Sequence, residues 1–141
     1  MIYQLVYSSE AAPDLTDDGI EDILTDSRID NAERGVTGAL LFVDRVFVQI
    51  LEGSRQAVED LMVKIERDPR HHSVTVIHEG EAPVRIFDTW RMAFLNPSPA
   101  ELSRWAGFPG TESMAQVTAT LEQHPDRVPA VLLGIVHALA D

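Results

Sequence analysis

No cysteine occurs among the 141 residues. That excludes disulfide staples, thiolate nucleophiles and thiolate metal sites. Basic residues are scarce: 11 Lys and Arg stand against 23 Asp and Glu, a formal net charge of -12. Nucleic acid and anionic membrane surfaces both require a positive footprint, so neither is an expected partner. Long apolar runs are missing as well. The most apolar stretch, VPAVLLGIVHALA near the C-terminus, is too short to span a bilayer. Neither GxGxxG nor a P-loop is present, and no repeat or low-complexity linker interrupts the chain. It opens on a strand-like run, MIYQLVY, with no charged n-region, so a cytoplasmic protein is expected. What remains is 45% hydrophobic residues with mixed charges, in a chain of one-domain length able to bury about two-thirds of its unfolded surface.

Hydrophobic periodicity divides the chain into elements. Ile2–Ser8 alternates as a strand with Tyr3, Leu5 and Tyr7 on one face, and Ser9–Asp14 reads as a loop. Thr16 can cap a helix whose first turn carries Asp17 and Asp18 and whose stripe is Ile20, Ile23 and Leu24. The polar run Arg28–Arg34 closes it before Gly35, with Asn31 at the exit. Val36–Val43 and Val46–Leu51 form a hairpin about Asp44-Arg45. Gly38 within it suggests a bulge or a close approach. Glu52-Gly53-Ser54 opens a second helix with Val58, Leu61 and Ile65 inward, ended by Pro69. Ser73–His78 is a fourth strand. Arg85–Leu95 is a fifth, with Trp90, Met92 and Phe94 alternating onto one face. The order βαββαββ predicts an α+β, ferredoxin-like sheet with two helices on one face. Residues 1–96 form that unit, and 97–141 are a helical extension within the same compact body. Ser98-Pro99-Ala100-Glu101 is a capping-box start. Thr111 caps another helix, and a last one spans Pro129–Ala140. These helices are expected to cover the other face of the sheet or a partner subunit.

One residue in the strand VFVQILEG at 46–53 does not fit an apolar core. Burying the amide of Gln49 without a partner would cost roughly 2–7 kcal/mol. It can bond a backbone group or a neighbouring side chain such as Tyr7, which the topology places on the adjacent central strand. His71-His72 adjoins a helix end and has no third ligand in view, so no metal is expected. Asp14, Asp17, Asp18, Glu21 and Asp22 read as a solvated helix face.

Five stretches carry a resemblance: LVYSS at 5–9, SRIDNAERGVTGALLF at 27–42, FVQILEG at 47–53, DPRHHSV at 68–74 and FDTWRMAF at 87–94. Together, in register over residues 2–95, they resemble the BLUF family of blue-light sensors that use FAD. The resemblance implies a flavin (FAD, with FMN or riboflavin as substitutes) held between the two helices. Ile23 and Ile65 would flank its ring, and Asn31 would meet the C4=O and N3–H edge. Arg70 would approach C2=O, while Asp68 and His71 would lie around the ribityl chain and ring edge. Lys64 stands where some relatives carry Arg, and Asp30 where relatives carry His or Asn. Tyr7 becomes the electron and proton donor and Gln49 the bridge that rotates or tautomerises. Trp90 and Met92 occupy positions associated with signalling. The resemblance implies a photoreceptor that is not an enzyme, with output through protein contacts. A homo-oligomer formed through the C-terminal helices is expected, together with an unidentified downstream protein.

Rival readings are a small flavin-dependent reductase, a light-insensitive ferredoxin-like interaction module and an acylphosphatase-type hydrolase. The last wants a basic phosphate loop after the first strand, and Ser8-Ser9-Glu10-Ala11-Ala12 contains no basic residue.

Overall fold

The structure is a computed structural model that describes residues 1–88, 92–107 and 113–140. Strands β1 (Ile2–Ala11), β2 (Thr37–Val43), β3 (Val46–Gly53), β4 (His71–Ala82) and β5 (Ala93–Leu95) make one sheet in the order β4-β1-β3-β2-β5. All pairings are antiparallel except β2 with β5. Helices α1 (Asp17–Arg34) and α2 (Arg55–Glu66) connect the strands, and α3 (Pro99–Ala106), α4 (Met114–Gln123) and α5 (Val128–Ala140) follow them.

Local chemistry sets the element ends. Thr16 caps α1 by accepting from Gly19 N–H, and Ser54 caps α2 by accepting from Ala57 N–H. Ser98 and Glu101 form the capping box of α3, with Pro99 inside it. Ser113 caps α4; Thr111, expected in that role, lies outside the described residues. Both residues of the Asp44-Arg45 turn have positive φ, 48° and 65°, the geometry that matches the twist of a two-residue hairpin. Gly38 is a close approach: a Cβ there would sit 1.8 Å from the carbonyl oxygen of Ile50.

Each face of the sheet has its own core. Tyr3, Leu5, Tyr7, Leu40, Phe47 and Leu51 point towards α1 and α2, joined by Val58, Leu61, Met62 and Met92. Val6, Ala39, Leu41, Val43, Val48 and Ile50 point the other way, against Leu102, Ala106, Val117, Leu121, Val131, Leu132 and Ile135 of the last three helices. β2 and β3 are therefore covered on both sides, which explains why they read as near-continuous apolar runs rather than alternating ones.

Several elements differ from the sequence expectation. β1 continues through Ser9 to Ala11, where a loop was expected, because β4 pairs along its whole length from Ala82 opposite Ile2 to His71 opposite Ala11. The same pairing holds the polar residues Glu79–Glu81 in a strand that local propensity would not extend. His71 and His72 thus begin a strand rather than adjoin a helix end. Asn31 lies inside α1, and Gly35, at φ 68°, takes the left-handed cap position. Glu52 and Gly53 belong to β3, not to the start of α2. Of the expected fifth strand Arg85–Leu95, Ala93–Leu95 is a strand, and residues 89–91 lie outside the described residues. Residues 85–88 are not part of a strand, and the N–H groups of Ile86 and Phe87 are taken by the Glu52 carboxylate instead of a ladder.

Candidate functional site

Two helical stripes and the central strands enclose a cleft with about 640 Å3 of atom-free space, including its open mouth. From α1 come Ile23, Asp26, Ser27, Asp30 and Asn31, and from α2 and its exit Leu61, Lys64, Ile65 and Asp68. Both sets follow i, i+3, i+4, i+7 spacing, one face of each helix. Tyr7 (β1), Leu40 (β2), Phe47 and Gln49 (β3) form the floor, and Arg70 and His71 close one end.

On the floor, Tyr7 and Gln49 are direct cross-strand neighbours. Both are only 3% exposed. Tyr7 Oη donates to Gln49 Oε1, and Gln49 Nε2 points at Met92 Sδ, 3.6 Å away. Met92 is buried and its carbonyl accepts from Arg28 Nε at 3.2 Å. Burial, reinforced by the charge of Asp68, pushes the Tyr7 phenol well above the ordinary tyrosine range. It therefore stays protonated, a donor aimed at one acceptor.

The rim is ionic. Arg70 grips both oxygens of Asp68, at 2.9 Å and 3.0 Å from Nε and 2.6 Å from Nη2. Its Nη1 reaches Asp26 at 3.1 Å. Burial pushes the Asp68 carboxyl up, but the guanidinium and the Arg70 backbone N–H outweigh it and hold the group below its usual value. Across the mouth, Lys64 Nζ donates to Asp30 Oδ2 at 2.6 Å and so ties α2 to α1. His71 is fixed at both nitrogens, with Nε2 2.6 Å from Ile65 O and Nδ1 2.7 Å from Ser9 Oγ. A carbonyl only accepts, so Nε2 carries a proton; in the neutral ring Nδ1 accepts from the serine hydroxyl.

The structure brings ten of the sequence-derived residues to this cleft: Tyr7, Ile23, Asp30, Asn31, Gln49, Lys64, Ile65, Asp68, Arg70 and His71. Met92 joins through Gln49, and Trp90 lies outside the described residues. Asp26, Ser27, Leu40, Phe47 and Leu61 line it as well. The signal for Asp26 and Ser27 was present in their spacing of three and four from Ile23. Asp14, Asp17, Asp18, Glu21 and Asp22 are all exposed. Among the described residues, no group of three or more His, Cys, Asp or Glu could hold a metal ion. No described helix is long and apolar enough to cross a membrane.

Comparison with known proteins gives the chain a family. Residues 2–93 match the family described as "BLUF: Sensors of blue-light using FAD". The chain is 36% identical over 83 residues to the photoactivated adenylate cyclase subunit beta of Euglena gracilis, covering 59% of this chain and 10% of that protein. It is 30% identical over 131 residues to a subunit beta-like protein FB of the same organism, covering 92% and 15%. The chain thus spans only 10% and 15% of the length of these curated relatives. Among solved structures, the dark state of BlrB, a BLUF protein, matches with a TM-score of 0.77 at 26% identity, over 97% of this chain and 96% of that one. With a family match over residues 2–93 and a structural likeness along almost the whole chain, the chain belongs to the BLUF family of blue-light sensors that use FAD.

Proposed function

We propose that the cleft between α1 and α2 is the FAD site and that Tyr7 and Gln49 carry its light response. The observation behind this reading is the buried bond from the Tyr7 phenol to the Gln49 amide on the cleft floor. The lining suits an isoalloxazine: Ile23 and Ile65 offer apolar walls on the two helices, while Asn31, Gln49 and Arg70 offer amide and guanidinium edges. Asp68 and His71 would take the ribityl end, with Lys64 and Asp30 at the mouth. When bound, FAD supplies blue-light absorption and, once excited, a strong electron acceptor.

Everything else falls to the protein's own groups. Tyr7 gives up an electron from its ring and the proton on Oη, and Gln49 receives the proton at Oε1 because an amide both accepts and donates. The electron and proton then return to Tyr7, so nothing is consumed. Gln49 is left rotated or as its imidic tautomer, and either outcome changes what it offers its neighbours. Met92, in contact with Nε2, registers that change beside β5. The switch is one of local hydrogen bonding that biases a larger element.

In this reading residues 1–96 hold the photochemistry and 97–141 pass it on. The chain is itself non-catalytic; the cyclase activity in the relatives' names belongs to proteins of which it matches 10% and 15%. Output goes to a second copy and a downstream protein through the C-terminal helices, where Leu133 is 57% exposed. A cytoplasmic setting fits the cysteine-free, acidic composition. The test is an absorption spectrum of FAD-loaded protein before and after blue illumination. A reversible red shift is expected; a bound flavin whose spectrum does not move would overturn the reading.

A further inference from the structure

A second buried polar cluster lies on the opposite face of β3 from the cleft, and the photochemistry leaves it unexplained. Glu52 has no exposed surface. Its carboxylate accepts from Ile86 N–H at 2.9 Å and 3.0 Å, from Phe87 N–H at 2.7 Å and from Gln4 Nε2 at 3.0 Å. Three N–H groups converge on two oxygens. An amide could not replace the carboxylate here, since half of it would turn a donor towards donors. The preceding residue is pinned too. Arg85 Nη1 donates to Thr37 Oγ1 and Glu52 O, both at 2.9 Å, and Nη2 to Gly35 O at 2.7 Å. Three consecutive residues, 85 to 87, are thus fastened to the β3 end and the α1–β2 junction by side-chain bonds in place of a strand ladder.

The same strand reaches the other end of this segment from its other face. Glu52 is three residues beyond Gln49, and Gln49 Nε2 meets Met92 Sδ. Only residues 88 to 91 separate Phe87 from Met92 in sequence. At most about 3.6 Å of chain per residue keeps the two attachment points within roughly 18 Å of each other. On the far side Met92 leads into a strand of only three residues, Ala93–Leu95. Side-chain bonds thus hold the chain before Met92, and a three-residue ladder with β2 holds it after.

We propose that Glu52, supported by Arg85, is a positioning residue for the photoreaction: by clamping residues 85–87 to β3 it holds Met92 in place against Gln49. The proposal rests on the assignment of Gln49 as the light-driven switch. Loss of the clamp lets Met92 withdraw, and the switched amide relaxes sooner. The initial red shift, which depends on Tyr7 and Gln49, keeps its size.

The experiment measures dark recovery after a blue pulse in FAD-loaded wild type, Glu52→Gln, Met92→Ala and the double variant. Glu52→Gln is expected to keep the red shift and to recover at least about twofold faster, a change on the scale of coupled neighbours. In the Met92→Ala background the same substitution is expected to add nothing. Recovery of Glu52→Gln at the wild-type rate, or effects of the two substitutions that simply multiply, would overturn the proposal. If Glu52→Gln does not fold, Arg85→Met decides on the same criteria, because it removes three bonds from a partly exposed side chain. A wild type with no red shift at all would instead count against the photoreceptor site itself, so the two failures are distinguishable.

Discussion

The bond between Tyr7 and Gln49 allows a test that does not depend on spectroscopy alone. Both side chains are 3% exposed, so water cannot replace a lost partner. Tyr7→Phe leaves Gln49 Oε1 without its donor, and Gln49→Leu leaves the phenol without its acceptor. A buried polar group stranded in this way costs about 1–3 kcal/mol. The double substitution strands neither group, because both partners become apolar, and such a replacement is close to neutral. The two effects are therefore expected to be strongly non-additive, with a coupling of about 2–6 kcal/mol in favour of the double variant. For a chain of this size each kcal/mol moves Tm by roughly 3–4 °C. Each single variant should then melt roughly 3–12 °C lower, and the double variant should recover at least about 6 °C of the summed loss. Urea titrations of flavin-free and FAD-loaded protein measure the cycle, and blue-light difference spectra show whether the red shift has gone from all three variants. Additive destabilisation would mean that the two groups do not share a buried bond. A normal red shift in Tyr7→Phe would remove Tyr7 as the donor.

Other perturbations separate the rim, the core and the extension. Asp30→Asn breaks the pair with Lys64, whose side chain is 58% exposed; it should change stability by at most about 1 kcal/mol. Flavin exchange should nonetheless quicken, as read by release of fluorescence on dilution, since the pair ties α1 to α2 across the mouth; an unchanged rate would refute that role. Gly134→Ala puts a Cβ 2.4 Å from the Trp105 ring, and overpacking of this kind costs about 1–3 kcal/mol. Its Tm should fall while the red shift stays intact, and a lost red shift would contradict the division of labour. Alkaline pH tests the buried phenols. Burial pushes Tyr3 up to about 12, with its bond to Glu79 adding to the effect, and carries Tyr7 higher still, whereas both titrate near 10.0 when unfolded. The folded chain then holds protons that the unfolded chain releases, so this stability is fully present below pH 10.0 and lost as pH rises beyond it. Denaturation midpoints across pH 8 to 11 should show that fall, and a shallower one in Tyr7→Phe.

The order of strands and helices was legible in the sequence, because period 2 and period 3.6 are properties of the backbone that any short window displays. So were the caps at Thr16, Ser54 and Ser98, which act within three residues. Gln49 stood out as an amide in an apolar strand, and Tyr7 as its neighbour once the sheet order was set. The lining face of α1 was half visible: Ile23 and Asn31 define it, but Asp26 and Ser27 look like ordinary solvent-facing residues until something packs opposite them.

Other features depend on pairs far apart in the chain, and no local pattern reports those. β4 runs on through Glu79–Glu81 because β1 offers it a partner along the whole of its length. Glu52 reads as a helix-opening acid, yet the sheet delivers it to the amides of residues 86 and 87, more than thirty positions away. Asp30 finds Lys64, and Asp26 finds Arg70, only when α1 and α2 lie side by side. Local periodicity determined which residues share a face. Burial and hydrogen-bond satisfaction in the assembled sheet decided which faces meet, because a stranded amide or carboxylate costs more than any local propensity returns.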